Sequence, residues 1–404
     1  MKQKLDIQKK YDYIIVGAGL AGATCARLLA DEGKTILIID SRDHTGGNCY
    51  SERMDGIEVH RYGPHIFHTD SEKIWNFVNR YTVFNDYINS PIAEYNGRYY
   101  NLPINMNTLI QIYPNVVPSP DAMTAEILKD IPEEYLEFRN GHKKATNLEE
   151  HIISQVGTKI YNTFIKDYTE KQWGKSCSEL SPEIIKRIPI RMTFDNNYFS
   201  DRFQGIPKYG YQDLFNKMLI DNNIDIILEY NVQEEDLSYL LERTRQFIIY
   251  TGDLNEIVPE NLQRIPYRSL RFDFQTYDAS TDKSLPKTAV INHTGSNSRY
   301  TRSVDYKYFD KNCHQRNSVI VHEKSVEWYK GWLIPYYPIL SEDAHSKYMD
   351  ARDYLRSKYS RLRFCGRIAT YRYLDMDDTI DNAFTCVNNL KYDYVRCEES
   401  SETI

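Results

Sequence analysis

The hydrophobic pattern opens on an unbroken apolar run, Tyr13-Ile14-Ile15-Val16, which predicts a strand buried on both faces. Gly17-Ala18-Gly19-Leu20-Ala21-Gly22 interrupts it, and Ala23 to Ala30 then predicts a helix. A second apolar run, Thr35-Ile36-Leu37-Ile38-Ile39, predicts another buried strand and stops at Asp40. Ile224 to Leu228 and Phe247 to Asp253 read as further strands of the same layer. Phe364-Cys365-Gly366-Arg367 reads as a short strand ending in Gly-Arg, and Asp375 to Ile380 as a helix start with an acidic first turn. From Thr108 to Arg187 the pattern is mostly helical, with Asn147 as a cap ahead of early acids. From Ile190 to Tyr209, and again from Tyr267 to Tyr337, Tyr, Phe, Val and Thr recur with partial alternation, which predicts antiparallel strands.

The first glycine stretch carries the first chemistry. Gly17 permits a tight turn, Gly19 brings the backbone up to a pyrophosphate, and Gly22 lets the helix pack on the strand. The helix N-terminus offers free N–H groups and partial positive charge to phosphates. Asp40 can hold a ribose hydroxyl pair and repels a 2′-phosphate. The glycine spacing alone is a weak signal. With both strands, the helix and the acid around it, it predicts a dinucleotide site. Gly46-Gly47-Asn48, directly after the second strand, narrows the nucleotide to FAD, whose flavin end can run over a small-residue loop. The Gly-Arg ahead of a late helix start predicts a second element closing over the flavin.

Composition adds limits. A chain of 404 residues can bury two or three cores. Its 41% hydrophobic and 26% charged residues suit a globular protein. A formal net charge of −7, with no basic cluster, argues against a nucleic-acid partner. The first ten residues are polar and mixed in charge, unlike a signal peptide, and no apolar run has the length of a membrane span. The chain therefore reads as cytoplasmic, with no membrane partner. Its seven cysteines include no CxxC pair, which predicts neither a disulfide framework nor a metal site.

The middle of the chain holds the candidate substrate chemistry. Tyr168-Thr169-Glu170-Lys171-Gln172-Trp173-Gly174 crowds aromatic and hydrogen-bonding groups together, and Arg187, Arg191 and Tyr198 follow. Later come Asn292, Tyr300-Thr301-Arg302, Pro335-Tyr336-Tyr337-Pro338 and Tyr371-Arg372-Tyr373. Arginine forks and tyrosine hydroxyls beside aromatic faces suit a pocket that stacks a base and grips a diphosphate. A single tyrosine or arginine more often packs or faces solvent, so the weight rests on the clustering. These motifs, with Gly46-Gly47-Asn48, Tyr62 to Thr69, Asn89-Ser90-Pro91, Asn101 to Thr108, Phe194 to Arg202, Gly205-Ile206-Pro207 and Gly366-Arg367 to Met376, are long, ordered and unusual. The chain resembles the bacterial UDP-galactopyranose mutases from about Tyr11 to Leu390.

The resemblance implies an α/β fold: an FAD-binding Rossmann-like domain with an inserted helical bundle and a twisted antiparallel β-sheet domain. The implied FAD-binding domain takes 11–88, 210–260 and 361–392. The helical domain takes 106–187, the sheet domain 89–105, 188–209 and 261–360, and a tail 393–404. The implied reaction is redox-neutral, and FAD is active in it only when reduced. Flavin N5 attacks the anomeric carbon and expels the nucleoside diphosphate; the sugar ring opens, recloses through a different hydroxyl, and the diphosphate returns. Pyranose and furanose forms of a nucleotide sugar are thus interconverted, for surface polysaccharide such as O-antigen. Arg187 and Arg302 would clamp the diphosphate, with His68 as a further catalytic residue. Tyr198, Tyr337 and Tyr373 would add hydroxyl donors, Phe164 and Tyr168 would lie against the base, and Trp173 near nucleoside and sugar. Asn89 and Asn292 complete the implied substrate set. Toward FAD, motif and resemblance together name Gly17, Ala18, Gly19, Leu20, Gly22, Asp40, Gly46, Gly47, Asn48, His65, Val232, Arg367, Tyr373, Asp375 and Met376. His65 and His68 form an HxxH pair, but no third ligand accompanies them, so they are expected at the flavin face rather than on a metal. A homodimer is expected.

Departures from the family pattern leave the sugar open between UDP-galactose and dTDP-fucose. Pro64 and Ile104 stand where alanine and phenylalanine are usual. Gln111 to Pro114 lacks a Trp-Gly that commonly follows. Thr370 replaces a common glutamate, and Ile334 a frequent acid. His68 keeps the residue of galactose-type enzymes. Two readings from other classes stand beside the mutase. One is an FAD-dependent oxidoreductase of the amine-oxidase type, the other a non-catalytic nucleotide-sugar-binding flavoprotein.

Overall fold

The computed structural model describes residues 5–185, 190–278 and 287–401, with side chains through Lys391. Arg187 lies outside the described residues. At the centre is a five-stranded parallel sheet in the order Leu362–Phe364, Thr244–Tyr250, Tyr11–Val16, Ile36–Ile39, Ile224–Ile227. The strands predicted at Tyr13, Thr35, Ile224 and Phe247 are present; the one predicted over Phe364–Arg367 lies earlier, at Leu362–Phe364, because Gly366–Ala369 form a helix. The runs are continuously apolar because both faces are covered. Tyr13 and Ile15 share a core with Leu29, Phe215 and Phe384 from the helices Leu20–Asp31, Tyr211–Leu219 and Met376–Ser401. Ile14 and Val16 share the opposite core with Leu237 and Leu355 from the helices Glu234–Arg243 and Glu342–Lys358. This is the period of two expected of a strand buried on both faces. The helix Glu342–Lys358 thus packs on the parallel sheet, although its residues fall within the range expected of the other one. The last helix continues to Ser401, into the range set apart as a tail.

A second sheet has seven strands in the order Tyr337–Pro338, Tyr267–Asp278, Asn317–Glu327, Arg302–Asp305, Val290–His293, Ile92–Tyr95, Arg98–Asn101. Neighbours are antiparallel except Val290–His293 beside Ile92–Tyr95, which run parallel. The segment from Ile190 to Tyr209, expected as strands, holds only Phe203–Gly205, which pairs with Phe67–Thr69 outside this sheet. Side chains satisfy part of its backbone beside isolated backbone bonds such as Arg191 N–H to Ile104 O. Asn105 Nδ2 donates to Asp195 O at 2.8 Å, Asn107 Nδ2 to Phe194 O at 3.0 Å, and Arg191 to Asn197 O and Tyr198 O. Aromatic richness mimicked a strand pattern there, but amide side chains took the place of a partner strand.

The predicted helical stretch is present as Met106–Ile112, Pro120–Lys129, Glu133–Arg139, Leu148–Ile160 and Lys166–Trp173 around its own core. Asn147 accepts the Glu150 N–H at 2.9 Å and caps its helix as its position predicted. Three cysteines far apart in sequence, Cys25, Cys365 and Cys386, bring their sulfurs within 4.8 Å of one another, a meeting invisible to spacing. Among the described residues no helix is long and apolar enough to cross a membrane.

What matters for function is how the second sheet meets the first layer. Val290, Val304 and Val321 bury one face of the seven-stranded sheet in the core that also holds Tyr13, Ile57 and Val59. Two residues further along the same strands, on the same face, lie Asn292, Arg302 and Glu323.

Candidate active site

The glycine turn is held by close backbone packing. Gly17 has φ +110°, and a Cβ there would lie 2.0 Å from Thr251 Oγ1. A Cβ on Gly22 would lie 1.9 Å from the Gly17 carbonyl oxygen. Gly19 differs, because its Cβ would meet only Gly47 Cα, at an ordinary 3.6 Å. Its bare backbone faces a cavity. Asp40 braces this turn: Oδ2 accepts the Ala18 N–H at 2.6 Å and Oδ1 the Arg42 N–H at 2.9 Å. The Gly46 N–H in turn donates to Ala18 O at 2.8 Å, which lays the Gly-Gly loop against the first turn.

The cavity above them has a volume of about 540 Å³. Gly17, Gly19, Leu20, Asp40, Gly46, Gly47, Asn48, His65, Val232, Arg367, Asp375 and Met376 all line it. Ala18, Gly22 and Tyr373 are not among its lining. Ala18 is fully buried, and Gly22 packs beneath Gly17. The helices beginning at Leu20 and Met376 both open onto the cavity at their N-termini, a placement that favours anionic ligands. On the wall, Arg42 Nη1 and Asp253 Oδ2 are buried without a hydrogen-bond partner. Such orphaned atoms cost stability unless a ligand or water completes them. A bare glycine cradle, two helix N-termini and unpaired polar atoms fit a dinucleotide cofactor.

Two wall residues have displaced protonation equilibria. Burial raises Asp253 to about 7, against the bonds it accepts from Asn255. Burial lowers His65 to about 4; its bond to Gly63 O opposes this, and Arg367 and Arg302 reinforce it. His65 is therefore neutral at pH 7. Its Nδ1 lies 2.8 Å from the Gly63 carbonyl oxygen, an obligate acceptor. Nδ1 thus carries the proton and Nε2 the lone pair.

Near His65, outside the residues that line the cavity, lies an arginine–tyrosine cluster. Asn292, Arg302 and Glu323 are cross-strand neighbours in register. Arg302 Nε lies 3.8 Å from Glu323 Oε2, with the arginine side chain 31% exposed and the glutamate 5%. Burial disfavours the Arg302 charge, but Glu323, Tyr168 and Tyr337 outweigh it and raise its pKa well above the usual value. The guanidinium is charged at any working pH. Tyr168, Tyr198, Tyr337 and Tyr373 surround it closely enough to interact electrostatically with it or with one another. Tyr337 and Tyr373 stack at 5.6 Å, and the Arg367 guanidinium sits over both rings at 5.7 and 5.2 Å. Arg367 is fixed by donating Nε–H to Leu374 O at 2.7 Å. Arg302 Nε, Asn292 Oδ1 and Glu323 Oε1 are buried without hydrogen-bond partners. Three polar atoms in one cross-strand row lack partners beside a dinucleotide cavity.

Other expected site residues fall elsewhere. Phe164 is 4% exposed and packs edge-on against Tyr100 at 5.5 Å in the helical core, so it offers almost no surface to a base. Trp173 ends its helix half-buried against the same core. Asn89 is buried; its side-chain oxygen accepts from Tyr87 and its carbonyl from the Tyr198 N–H, which makes it a support for Tyr198. His68 does not line the cavity. Its ring stacks on Phe199 at 3.8 Å, and Nδ1 lies 3.3 Å from Asp201 Oδ2. Ile104, one of the departures from the family pattern, belongs to the helical core, and the Thr370 hydroxyl donates to Gly366 O at 2.7 Å. Sequence reasoning missed Glu323, Arg42 and Asp253. The signal for Glu323 was an acid at the end of the run Val319-Ile320-Val321-His322, where an exposed strand end would be the ordinary reading.

Fold and site together define a Rossmann-type dinucleotide-binding fold with an arginine–tyrosine cluster on an antiparallel sheet near its cavity. Residues 15–81 match the model of the NAD(P)-binding Rossmann-like domain, and residues 163–373 match that of UDP-galactopyranose mutase. The chain is 35% identical to a dTDP-fucopyranose mutase of Escherichia coli, over 92% of this chain and 96% of that one. It is 38% identical to a probable UDP-galactopyranose mutase of Klebsiella pneumoniae, over 92% of each chain. A crystal structure of reduced UDP-galactopyranose mutase shares the fold with a TM-score of 0.69 at 14% identity, covering 94% of this chain and 95% of that one. The chain belongs to the UDP-galactopyranose mutase family. It is a nucleotide-sugar mutase, an isomerase.

Proposed function

We propose that the protein interconverts the pyranose and furanose forms of UDP-galactose or dTDP-fucose, with reduced FAD in the large cavity. The observation that carries this reading is Arg302. Its charged guanidinium, backed by buried Glu323 and ringed by tyrosines, keeps an unpaired Nε beside the cofactor cavity. Reduced FAD, when bound, supplies the nucleophile that displaces the diphosphate from the anomeric carbon. Arg302 then holds a leaving group whose charge grows as that bond breaks. Arg187 enters as the second arm of the clamp through the family motif alone. The hydroxyls of Tyr198, Tyr337 and Tyr373 add donors, and the Arg367–Leu374 tether keeps the Tyr337–Tyr373 stack in place. Neutral His65 offers Nε2 as an acceptor at the cofactor wall. In this reading the enzyme works in the cytoplasm as a homodimer and supplies furanose units for a surface polysaccharide such as O-antigen.

The test is incubation of dithionite-reduced protein with UDP-galactofuranose and dTDP-fucofuranose separately, followed by separation of the isomers. Conversion of at least one to its pyranose form is expected, and the faster one names the substrate. Recovery of both furanoses unchanged, from protein carrying full FAD, would overturn the proposal.

A further inference from the structure

Lys171 lies one residue short of a helical turn beyond Tyr168 and two residues before Trp173, on the helix Lys166–Trp173. Its Nζ is 2.7 Å from the carbonyl oxygen of His293, 2.8 Å from that of Gly295, 3.1 Å from that of Ser298 and 3.0 Å from that of Tyr300. An ammonium has three donors. Four carbonyls converging on it form a cage of backbone dipoles around a cation. All four belong to the turn that joins the strand Val290–His293 to the strand Arg302–Asp305. Asn292, one residue before the strand ends, pairs across the turn with Arg302, which begins the next strand. The rest of the turn is fastened by the Thr294 N–H on Glu94 O at 2.8 Å and the His293 N–H on Thr301 O at 2.9 Å. The far end of the helix is also docked on the sheet, since Arg268 and Ser325 both donate to Gln172 O.

We infer that Lys171 is a positioning residue, a cation bolted into a carbonyl cage that sets Tyr168 on one side of the cleft against Arg302 on the other. The charge is what the cage recognises. A neutral side chain would leave four carbonyls converging on nothing, and the turn would have no reason to keep its shape. Burial works against the ammonium and lowers its pKa to about 8, with Asp167 from its own helix and Glu94 from the sheet opposing. His293, whose carbonyl is in the cage, is itself held neutral by burial against its pairing with Glu94. The four carbonyl oxygens, at 2.7–3.1 Å, hold the cation in place by direct hydrogen bonds.

The inference rests on Arg302 holding the diphosphate, and the test separates the two. UDP and dTDP are each titrated by calorimetry into the FAD-loaded wild type, Lys171→Ala and Lys171→Met. Lys171→Ala is expected to bind about ten-fold more weakly or worse, the loss of one charge-assisted bond from a displaced Arg302, with FAD content unchanged. Ethylammonium, which fits the vacated tunnel and brings N–H donors, is expected to restore most of the affinity. Tetramethylammonium, a cation without donors, is expected to restore none. Lys171→Met fills the tunnel without charge and is expected to be weak and beyond rescue. It also carries the test if Lys171→Ala does not fold. Wild-type affinity in either variant, or a loss in Lys171→Ala that ethylammonium leaves untouched, overturns the inference. A wild type that binds neither nucleotide overturns the Arg302 reading as well.

Discussion

Arg302 and Glu323 face each other across neighbouring strands, and one is useful only because the other holds it. A charged bond to phosphate contributes roughly 1.5–3 kcal/mol. Arg302→Ala should therefore lose about ten- to a hundredfold in kcat/KM, in kcat as well as affinity, with FAD content intact. Arg302→Lys should recover only part, because a point charge cannot reproduce the planar fork. Steady-state kinetics beside flavin absorbance checks both. Normal turnover by flavin-loaded Arg302→Ala would remove the arginine from the site. Asp253 gives a separate test through stability. Its folded pKa, about 7, lies above its usual 3.8, so between these values the folded chain holds a proton that the unfolded chain has lost. Stability then falls as pH rises through that window, by on the order of 4 kcal/mol for this group. Cofactor-free Asp253→Asn should melt higher than wild type at pH 8 and show no advantage near pH 4. His65 acts in the opposite sense, with its stabilisation growing as pH rises from about 4, but it is common to both proteins and cancels in the comparison. Equal melting shifts at both pH values would contradict the assignment.

At the scale of elements, the glycine turn separates folding from binding within a few residues. Gly22→Val drives a side chain into the Gly17 carbonyl, and Gly19→Val drives one only into the cavity. Gly22→Val should cost about 3 kcal/mol or more of stability. Gly19→Val should melt close to wild type and purify colourless. Thermal melts and flavin absorbance distinguish them, and a folded Gly19→Val with full FAD would misplace the pyrophosphate. This turn was legible in the sequence because each of its residues obeys a local rule: apolar runs, a spacing of glycines, an acid at a strand end. The strands of the second sheet between Tyr267 and Tyr337 were also legible; Ile92–Tyr95 and Arg98–Asn101 were not read as strands, and neither was the parallel pairing of Val290–His293 with Ile92–Tyr95, since nearly two hundred residues separate them. Cys25, Cys365 and Cys386 escaped for the same reason. The role of Lys171 was hidden differently. Its partners are carbonyls, which every residue has, so no residue type marks a carbonyl cage. Phe194 to Tyr198 misled because their aromatic content suggests a strand, while their carbonyl oxygens accept from the side chains of Asn105, Asn107 and Arg191.

The whole molecule makes sense as two layers that each solve half of a problem. The parallel sheet ends in a cavity with a bare backbone floor, two helix N-termini and unpaired polar atoms, which suits a dinucleotide. The second sheet shares a hydrophobic core with the first layer through Val290, Val304 and Val321, and this anchoring carries Arg302 to the cavity's edge. His65 feels both Arg367 on one layer and Arg302 on the other, and in the proposed reading cofactor and diphosphate meet at that seam. An ordinary flavin oxidoreductase needs no charged clamp for a leaving diphosphate, whereas a mutase does. The most direct test is an anaerobic assay of one preparation in two redox states, with the preferred nucleotide furanose as substrate. Dithionite-reduced enzyme should produce the pyranose isomer through many turnovers with its flavin spectrum still reduced, while the oxidised enzyme should be silent. Equal turnover by oxidised enzyme without any reductant would contradict the account.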